Sequence, residues 1–366
     1  MKLVIQNTAR VWGGNEKSLA TLARGLVTRG HDVTVSCAKG IVSERLAEMG
    51  IEVTHFRPRG QIDFVSGFSF SLWLKKRAPD ALLMTSWNAI PWAALSARMA
   101  GVKNVVLRQG IVRRAPVSGP HAHALRHWID NVITNAPEIR SVWLESLPEF
   151  PADRVHVVLN AVTSNASQRD LMRAQLREEL GIDSETLVIS AAGILSKRKN
   201  FELLLETFAR LGAQDAIIVI VGDGPHRQAL ETKTSELGIE SGVRFLGARA
   251  HAAEVIGGSD LFVLSSKNEG MANVMLEAMA AGVPVIASDI SGVRTAIGRS
   301  DGRGPAGWIF PPDDVSSLAN TTSELLLLLR SNPERVRAVT DEALWRIDNW
   351  FSQDRMIEQS ERILFG

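Results

Sequence analysis

Short apolar runs alternate with amphipathic segments along almost the whole chain, and this alternation restricts the fold more than any other feature. In the first half the predicted strands occupy residues 3–6, 33–38, 52–56, 81–84, 104–107, 131–134 and 155–159. After residue 187 they occupy residues 187–192, 216–221, 243–246, 261–264 and 283–287. The segments between them have helical spacing, so the pattern predicts an α/β protein with parallel sheets covered by helices.

The chain is long enough for two such domains, and its two halves carry opposite charge. At 366 residues the length suits two domains of ~150 residues. Residues 1–163 contain 20 Lys and Arg against 12 Asp and Glu, a net charge of +8, whereas the whole chain carries only +1. The asymmetry suggests that the first half meets something anionic, although a basic surface without a partner explains it equally well.

The single cysteine and the hydropathy pattern bear on location. Cys37 lies in an apolar run and cannot form an internal disulfide, which fits a reducing, cytoplasmic compartment. The chain begins directly with a strand-like run after Met1, without the shape of a signal peptide, and no apolar run approaches the ~18 residues of a spanning helix. We therefore expect a cytoplasmic protein without a membrane span.

The segment that follows the predicted strand 261–264 carries the strongest functional signal. A loop with Glu269 and Gly270 comes first, then a helix from about Asn273, and Gly282 stops that helix. Open α/β sheets bind ligands at the carboxyl ends of their strands, and the N–H groups of a helix start favour a phosphate. Glu269 on the loop and Glu277 in the helix could hold two different hydroxyl groups of a nucleotide sugar; two salt-bridging acids are the alternative.

This spacing, with Gly270 and the string Leu276-Glu277-Ala278-Met279, resembles the donor signature of retaining glycosyltransferases of family 4. The resemblance covers nearly the whole chain and is specific mainly in residues 187–312. It implies the GT-B architecture, in which two Rossmann-like β/α/β domains face each other across a cleft. We then expect an N-terminal acceptor-binding domain at 1–163 and a C-terminal donor-binding domain at 164–344. The terminal helix, 345–366, is expected to pack back on the N-terminal domain.

The resemblance also implies how the donor is held. Glu277 would accept hydrogen bonds from the ribose, Glu269 would hold the transferred sugar, and backbone N–H groups at the helix start would receive the sugar or the diphosphate. The donor would be linked to UDP or GDP. The expected donor-binding residues are Gly13, Gly14, Gly222, Ala248, Arg249, Gly270, Met271, Ala272, Asn273, Val274 and Glu277.

Three consecutive cations, Lys197 to Lys199, stand at a predicted helix entrance, where the helix dipole disfavours them. They are either a solvated charge run or the neighbours of an anion. In the family this loop supplies an arginine and a lysine to the donor diphosphate. Lys199 matches the lysine, but Ile194 stands at the arginine position, so Arg198 or Lys197 is the expected substitute. We expect Glu269, Lys199 and Arg198 to be catalytic, with no metal and no cofactor, because no suitable metal-ligand cluster is seen.

The acceptor side departs from the family, whose members often carry histidines after the strands near residues 85 and 108. Asn88, Arg108 and Gln109 are the candidates that stand there instead. Arg113 and Arg114 could bind a phosphate on a lipid-linked acceptor, or the headgroups of a membrane. The segment 64–77 runs from aromatic to basic residues, which suits a helix on a membrane surface or one packed on the sheet. No nucleic acid is expected, since the basic residues lack interleaved aromatics.

These features predict a retaining, metal-independent glycosyltransferase that moves a sugar from a nucleotide diphosphate to a glycan or lipid-linked acceptor in cell-surface polysaccharide or glycolipid synthesis. It would work in the cytoplasm, with peripheral contact to the inner face of the membrane. Two alternatives stay open. One is another GT-B enzyme, such as a sugar-nucleotide epimerase or a phosphorylase. The other is a non-catalytic nucleotide-sugar-binding homologue, which Ile194 and the missing histidines favour.

Overall fold

The computed structural model describes residues 1–56, 63–212, 215–298 and 302–366. The chain divides into unit 1, Met1–Asn160 with Gln353–Gly366, and unit 2, Ala161–Ser352. The boundaries differ slightly from those expected at 163 and 345. The segment that returns to unit 1 begins only at Gln353, because the helix that contains residue 345 belongs to unit 2.

Unit 1 is built on a parallel sheet. Its strands are β1 (Lys2–Gln6), β2 (Asp32–Cys37), β3 (Glu52–His55), β4 (Ala81–Met84), β5 (Asn104–Gln109), β6 (Asn131–Thr134) and β7 (Val155–Val157). Its helices are α1 (Gly14–Thr28), α2 (Ile41–Glu48), α3 (Phe64–Arg77), α4 (Ile90–Ala100), α5 (Gly119–His127), α6 (Pro137–Ser146) and, from the end of the chain, α15 (Gln353–Phe365). In the described residues the strand order is β3-β2-β1-β4-β5-β6-β7.

The strands of unit 1 are apolar because the sheet lies between two layers of helices. Leu3, Val4 and Ile5 of β1 are at most 1% exposed, because helices cover both faces of a parallel sheet. The chain winds outward from β1 to β3 and then returns to β4 on the other side of β1. This reversal makes the loops after β1 and β4 a switch point, where open α/β sheets bind ligands.

Helix α15 closes unit 1 by packing on α1. A Cβ on Gly25 would lie 2.1 Å from Cδ1 of Ile357, so glycine is what permits this close approach. At the end of the helix, Glu361 accepts hydrogen bonds from Arg29 at 2.7 Å and pairs with His31 at 2.6 Å. The fourteen C-terminal residues are therefore part of the N-terminal fold.

Unit 2 repeats the pattern with a second parallel sheet. Its strands are β8 (Leu187–Ala192), β9 (Ala216–Val221), β10 (Val243–Gly247), β11 (Leu261–Leu264), β12 (Val285–Ser288) and β13 (Trp308–Phe310). Its helices are α7 (Arg169–Leu180), α8 (Phe201–Leu211), α9 (Arg227–Glu236), α10 (Ala252–Gly257), α11 (Asn273–Ala280), α12 (Val293–Ile297), α13 (Val315–Ser331) and α14 (Pro333–Asn349). In the described residues the order is β10-β9-β8-β11-β12-β13.

Several elements differ from the sequence prediction. Helix α7, helix α12 and strand β13 were not predicted, and the terminal helix expected at 345–366 is divided between the end of α14 and α15. Helix α7 is highly charged, and only the i, i+4 pair Met172 and Leu176 marks its buried face. In the described part of the chain, no helix is both long and apolar enough to cross a membrane.

Candidate functional site

Two loops of unit 2 meet at the carboxyl edge of its sheet, because β8 and β11 are paired neighbours. The first runs from the end of β8 to α8, and the second runs from β11 to α11. The backbone N–H of Lys267 donates to the carbonyl of Arg198 at 2.9 Å. The Ser265 hydroxyl donates to the carbonyl of Lys199 at 3.0 Å. These bonds fix one loop against the other.

The three residues expected to be catalytic lie together in these loops. Nζ of Lys199 is 2.6 Å from Oε1 of Glu269, and Nη1 of Arg198 is 2.8 Å from Oε2. Arg198 also donates to the carbonyl of Asn268 at 2.9 Å. The hydroxyl of Ser266 donates to Oε1 of Glu269 at 3.2 Å. The carboxylate of Glu269 thus holds the side chains of Lys199 and Arg198 in place.

Glu269 is charged in this setting despite its burial. Its residue is only 9% exposed, and desolvation by itself would raise the pKa of the carboxyl group. The charges and hydrogen bonds of Lys199 and Arg198 outweigh that effect and lower the pKa of Glu269 below its ordinary value. Two cations against one carboxylate leave a positive excess, and Lys197 adds a further exposed cation. An anionic group is therefore favoured at this edge of the sheet.

Asn200 shapes the loop that carries the cations. Its φ is +51°, a left-handed conformation that asparagine tolerates better than most residues. Its side chain donates to Oδ1 of Asp313 at 2.9 Å, and Lys267 pairs with the same oxygen at 2.9 Å. The loop after β13 is thereby joined to the site. Sequence reasoning missed Asp313 and Ser266, and neither carries a motif that would have identified it.

Two glycine contacts explain why the loops lie so close together. Gly222 has a φ of +137°, and a Cβ there would lie 1.9 Å from the carbonyl oxygen of Gly193. Gly292, at φ +77°, would place a Cβ 1.7 Å from the carbonyl oxygen of Gly270. Backbone therefore packs on backbone at both points. Gly222, expected to touch the donor, is therefore required by this packing whether or not a ligand is bound, and at the second contact the required glycine is Gly292.

Helix α11 starts beside Glu269. Its N-cap is Ala272, which offers no side-chain acceptor to the first N–H groups of the helix. Met271 and Ala272 are buried, whereas Asn273, Val274 and Glu277 are partly exposed. Of these five residues, all expected to bind the donor, two are therefore buried and three have partly exposed side chains. Glu277 lies in the second turn of the helix.

The remaining donor candidates of unit 2 follow β10. The N–H of Gly222 donates to the carbonyl of Gly247 at 2.8 Å, which brings the segment with Ala248 and Arg249 next to the Gly222 turn. Ala248 is exposed. Arg249 pairs with Glu179 of α7 and donates to the carbonyl of Leu246 at 3.2 Å. Its guanidinium is therefore engaged within the unit.

In unit 1, Gly13 and Gly14 begin α1, and Glu16 holds their loop. The N–H of Gly13 donates to Oε2 of Glu16 at 3.2 Å. The side chains of Asn7 and Asn15 donate to Oε1 of Glu16 at 3.4 and 3.1 Å. Glu16 is 7% exposed. Within the Gly-Gly-Asn-Glu motif, the acid thus has a clear structural role.

Arg108 and Gln109, two candidates for the acceptor side, are buried at the end of β5. Arg108 is 7% exposed and donates to Oγ of Ser18 at 2.7 Å and to Oδ1 of Asn160 at 3.0 Å. Burial lowers the pKa of Arg108 to about 10. Among the described residues its Nη1 has no hydrogen-bond partner. Gln109 is 5% exposed and donates to the carbonyl of Ile111 at 2.8 Å.

Asn88, Arg113 and Arg114 are exposed. Trp87 contacts Arg113 and directly precedes Asn88 in the chain. The guanidinium of Arg113 lies 4.7 Å from the centroid of the Trp87 ring. His121 stacks on Trp87 at 5.5 Å and contacts its carbonyl oxygen at 3.1 Å. Arg114 is only loosely paired with a glutamate of α6. Trp87 was not among the sequence candidates.

A second cationic feature of unit 1 was also missed. A cavity of about 350 Å³ lies at the carboxyl ends of β1, β2 and β3. Arg10, Lys39 and His55 are among its lining residues. Arg10 and Lys39 lie in two separate loops and His55 ends β3, so no single motif in the sequence connects them.

Two family models match the chain. The model described as Glycosyltransferase Family 4 matches residues 12–165, and the model described as Glycosyl transferases group 1 matches residues 172–339. The chain is 29% identical to an N-acetyl-alpha-D-glucosaminyl L-malate synthase of Bacillus anthracis over 54% of this chain and 50% of that protein. It is 28% identical to a D-inositol 3-phosphate glycosyltransferase of a Mycobacterium species over 65% of this chain and 54% of that protein. The matches thus span about half the length of these curated relatives.

Solved structures share the fold over the full length. HepE from Anabaena, crystallised with UDP and glucose, superposes with a TM-score of 0.84 at 18% identity and covers 99% of this chain and 98% of its own. A glycosyltransferase from Rickettsia africae gives a TM-score of 0.85 at 17% identity, with the same coverage. The two Rossmann-like sheets are thus those of the GT-B fold. With one model matching each half, the chain belongs to the family 4 glycosyltransferases, of the class described as glycosyl transferases group 1.

Proposed function

We propose that the protein is a retaining, metal-independent glycosyltransferase that transfers a sugar from a UDP- or GDP-linked donor to a glycan or lipid-linked acceptor. One observation carries the proposal. Lys199 and Arg198 both contact Glu269 at the carboxyl edge of the unit 2 sheet, beside the start of α11. Family membership and the activities named for the relatives support it.

Charge stabilisation would be the main catalytic contribution of these residues. A nucleoside diphosphate leaving group gains negative charge as the glycosidic bond breaks, and fixed cations that meet that charge lower the barrier. Lys199 and Arg198 are already ordered by Glu269, so little reorganisation is needed when the diphosphate arrives. The first N–H groups of α11 would add fixed dipoles of the same sign.

Glu269 would have a second role in holding the sugar. Its carboxylate is charged, and it can accept hydrogen bonds from sugar hydroxyls while keeping one cation. Glu277, one helix turn beyond the start of α11, would accept from the ribose. In a retaining reaction the acceptor attacks from the face that the leaving group vacates, and the leaving phosphate can take the proton, so no separate enzymic base is assigned.

Unit 1 would hold the acceptor. Its first 163 residues have a net charge of +8, which favours an anionic acceptor. Arg113 and Arg114 are exposed, and Arg108 keeps one buried donor nitrogen without a partner in the described residues. We also propose cell-surface polysaccharide or glycolipid synthesis as the setting, in the cytoplasm and with peripheral contact to an anionic membrane.

A thermal-shift panel tests the donor site. UDP, GDP, ADP, dTDP and CMP are added to the wild-type protein and to Glu277→Ala. A nucleotide that binds only the folded state raises stability by RT ln(1 + [L]/Kd). We expect UDP or GDP to raise the melting temperature of the wild type but not of the variant. A panel without any shift would contradict the proposal.

Turnover of the nucleotide sugar found in this way tests the chemistry. Lys199→Ala and Glu269→Ala should lower kcat by about 10²–10³ while the melting curve stays cooperative. The anomeric configuration of the product, read by NMR, tests retention, and unchanged activity in EDTA tests metal independence. Near-normal turnover in both variants would overturn the site assignment.

A further inference from the structure

Helix α3 is apolar on two opposite faces. Gly67, Phe70 and Leu74 lie on the face that packs into unit 1, and Phe70 and Leu74 are fully buried. The opposite face carries three large apolar side chains at helical spacing. Val65 is 79% exposed, Phe68 is 56% exposed and Leu72 is 55% exposed. A helix that packs by one face alone would place polar residues on the other face.

A groove adjoins this exposed face. It has a volume of about 650 Å³ and is lined by residues of α3, α4, α5 and the turn after α5. Most of its lining is apolar, including Phe68, Trp92, Leu95, Met99, Pro120 and Trp128. Met99 is itself 53% exposed. A volume of this size lies within the ~300–1,000 Å³ of small-ligand sites.

The close packing of α3 on α4 forms the floor of the groove. The hydroxyl of Ser96 donates to the carbonyl of Gly67 at 2.8 Å and to that of Trp92 at 2.7 Å. A Cβ on Gly67 would lie 3.5 Å from Oγ of Ser96. The two helices are therefore in contact at Gly67 and Ser96. The large side chains on either side of this contact form the walls of the groove.

Cations extend the same face of α3. Lys75 and Lys76 come one turn after Leu72 and are exposed. At 1.5 Å per residue, Lys75 lies about 10 Å along the helix axis from Phe68. Apolar side chains followed by lysines are typical of helices that lie in the interface of an anionic membrane, where the lysine stem stays with the lipid and the ammonium reaches the phosphate.

We propose that the exposed face of α3 and the groove beside it form a docking surface for an anionic lipid bilayer, and that the groove takes one hydrocarbon chain of an anionic phospholipid. The inference deepens the peripheral membrane contact of the proposed function. The net charge of +8 on the first 163 residues supplies the long-range attraction to anionic lipid.

Vesicle co-sedimentation tests the surface. The full chain is mixed with vesicles of phosphatidylcholine alone and with vesicles that also contain phosphatidylglycerol. We expect binding to the anionic vesicles, and we expect Val65→Ser/Phe68→Ser/Leu72→Ser to weaken it by about tenfold or more. The matched control is Leu171→Ser/Leu327→Ser, which replaces two side chains of unit 2 that are 61% and 65% exposed. The control should bind like the wild type.

Charge reversal tests how much the two lysines contribute to vesicle binding. Lys75→Glu/Lys76→Glu should weaken binding to anionic vesicles by at least about fivefold for each lysine. Arg335→Glu/Arg337→Glu in α14 makes the same change in net charge at exposed positions of unit 2. If both pairs weaken binding equally, net charge alone explains the attraction and the assigned surface is wrong.

Quenching tests the groove. Phospholipids brominated along the acyl chain quench tryptophans that they touch, and Trp128 lines the groove. We expect quenching of the wild-type protein and clearly less quenching of Trp128→Phe at equal vesicle binding. Equal quenching in the two proteins would overturn the assignment of the groove.

Two further measurements distinguish the lipid surface from a dimer interface and from a general loss of folding. Light scattering gives the oligomeric state, and a dimer that the α3 triple variant breaks would show that the face belongs to a second copy. The nucleotide thermal shift of each variant reports the donor site independently of lipid. Loss of vesicle binding with an intact nucleotide shift supports the lipid surface. A nucleotide shift together with no wild-type binding to anionic vesicles overturns it without touching the transferase assignment.

Discussion

Nζ of Lys199 lies 2.6 Å from Oε1 of Glu269, and each of these side chains is only 11% exposed. Buried charges of opposite sign stabilise each other, whereas either one alone would be costly to keep charged away from water. A bound diphosphate would give Lys199 a second partner. The ammonium group of Lys199 would then contact the carboxylate of Glu269 and the diphosphate at the same time.

A double-mutant cycle tests whether the two residues act as one unit. Lys199→Ala, Glu269→Gln and the double variant should each lower kcat, and the double variant should lose much less than the product of the single losses. The reason is that each single variant already breaks the contact. Multiplicative losses, measured by initial rates at saturating donor, would show independent roles.

Acid should weaken the folded state partly through Glu269. Its pKa is lowered in the folded protein, so the carboxylate contributes stability above its ordinary pKa of 4.5, and this contribution disappears as the pH falls through the lower, folded value. Urea unfolding of the wild type and Glu269→Gln from pH 7 downward checks this. The difference in unfolding free energy should stay constant near neutrality and shrink below about pH 4.5. A difference independent of pH would mean that the pKa is not lowered.

Gly222→Ala should be far more damaging than alanine at another left-handed glycine. Its Cβ would meet the carbonyl oxygen of Gly193 at 1.9 Å, which forces the backbone of the loop between β8 and α8 to move. Gly238 also has a positive φ, +66°, but no atom lies within 4 Å of a Cβ there. Gly238→Ala should cost about 1 kcal/mol and Gly222→Ala several times more, with loss of activity. Equal melting temperatures would contradict this.

Cys37 should be chemically silent in the folded protein. It is fully buried in β2, and burial raises the pKa of its thiol to about 11. At pH 8 only about one thiol in a thousand is ionised, and that thiolate is shielded. Ellman's reagent should therefore label the chain only as urea unfolds it. Rapid stoichiometric labelling in native buffer would show that unit 1 opens locally at β2.

The sequence predicted the parts of this molecule that depend on short-range pattern. The alternating strands and the helix stop at Gly282 follow from periodicity and turn residues, whereas the grouping of Glu269 with Lys199 follows from the family resemblance. Asp313 and Arg346 could not be found in this way. Arg346 is fully buried and donates to the carbonyls of Ala296, Gly298 and Gly304, contacts that exist only once distant segments have folded together.

Burial also could not be foreseen for polar residues at strand ends. Arg108 and Gln109 were candidates for the acceptor side because they follow the predicted strand 104–107, where family members often carry histidines. Their exposure depends on what packs over that edge, and Ser18 and Asn160 come from distant parts of the chain. For the segment 64–77 the sequence left open a helix on a membrane surface or one packed on the sheet, since a buried and an exposed leucine look identical in a sequence.

The return of α15 to α1 has a consequence for the order in which the two units complete their folds. Ile357 fills the space over Gly25, and Glu361 binds Arg29 and His31, so unit 1 lacks one of its own helices until residues 353–366 have been synthesised. Unit 2 contains no residue beyond 352 and needs none of that segment. The unit that emerges first from the ribosome is thus the last to complete its fold, and loss of residues 353–366 would damage the fold of residues 1–160.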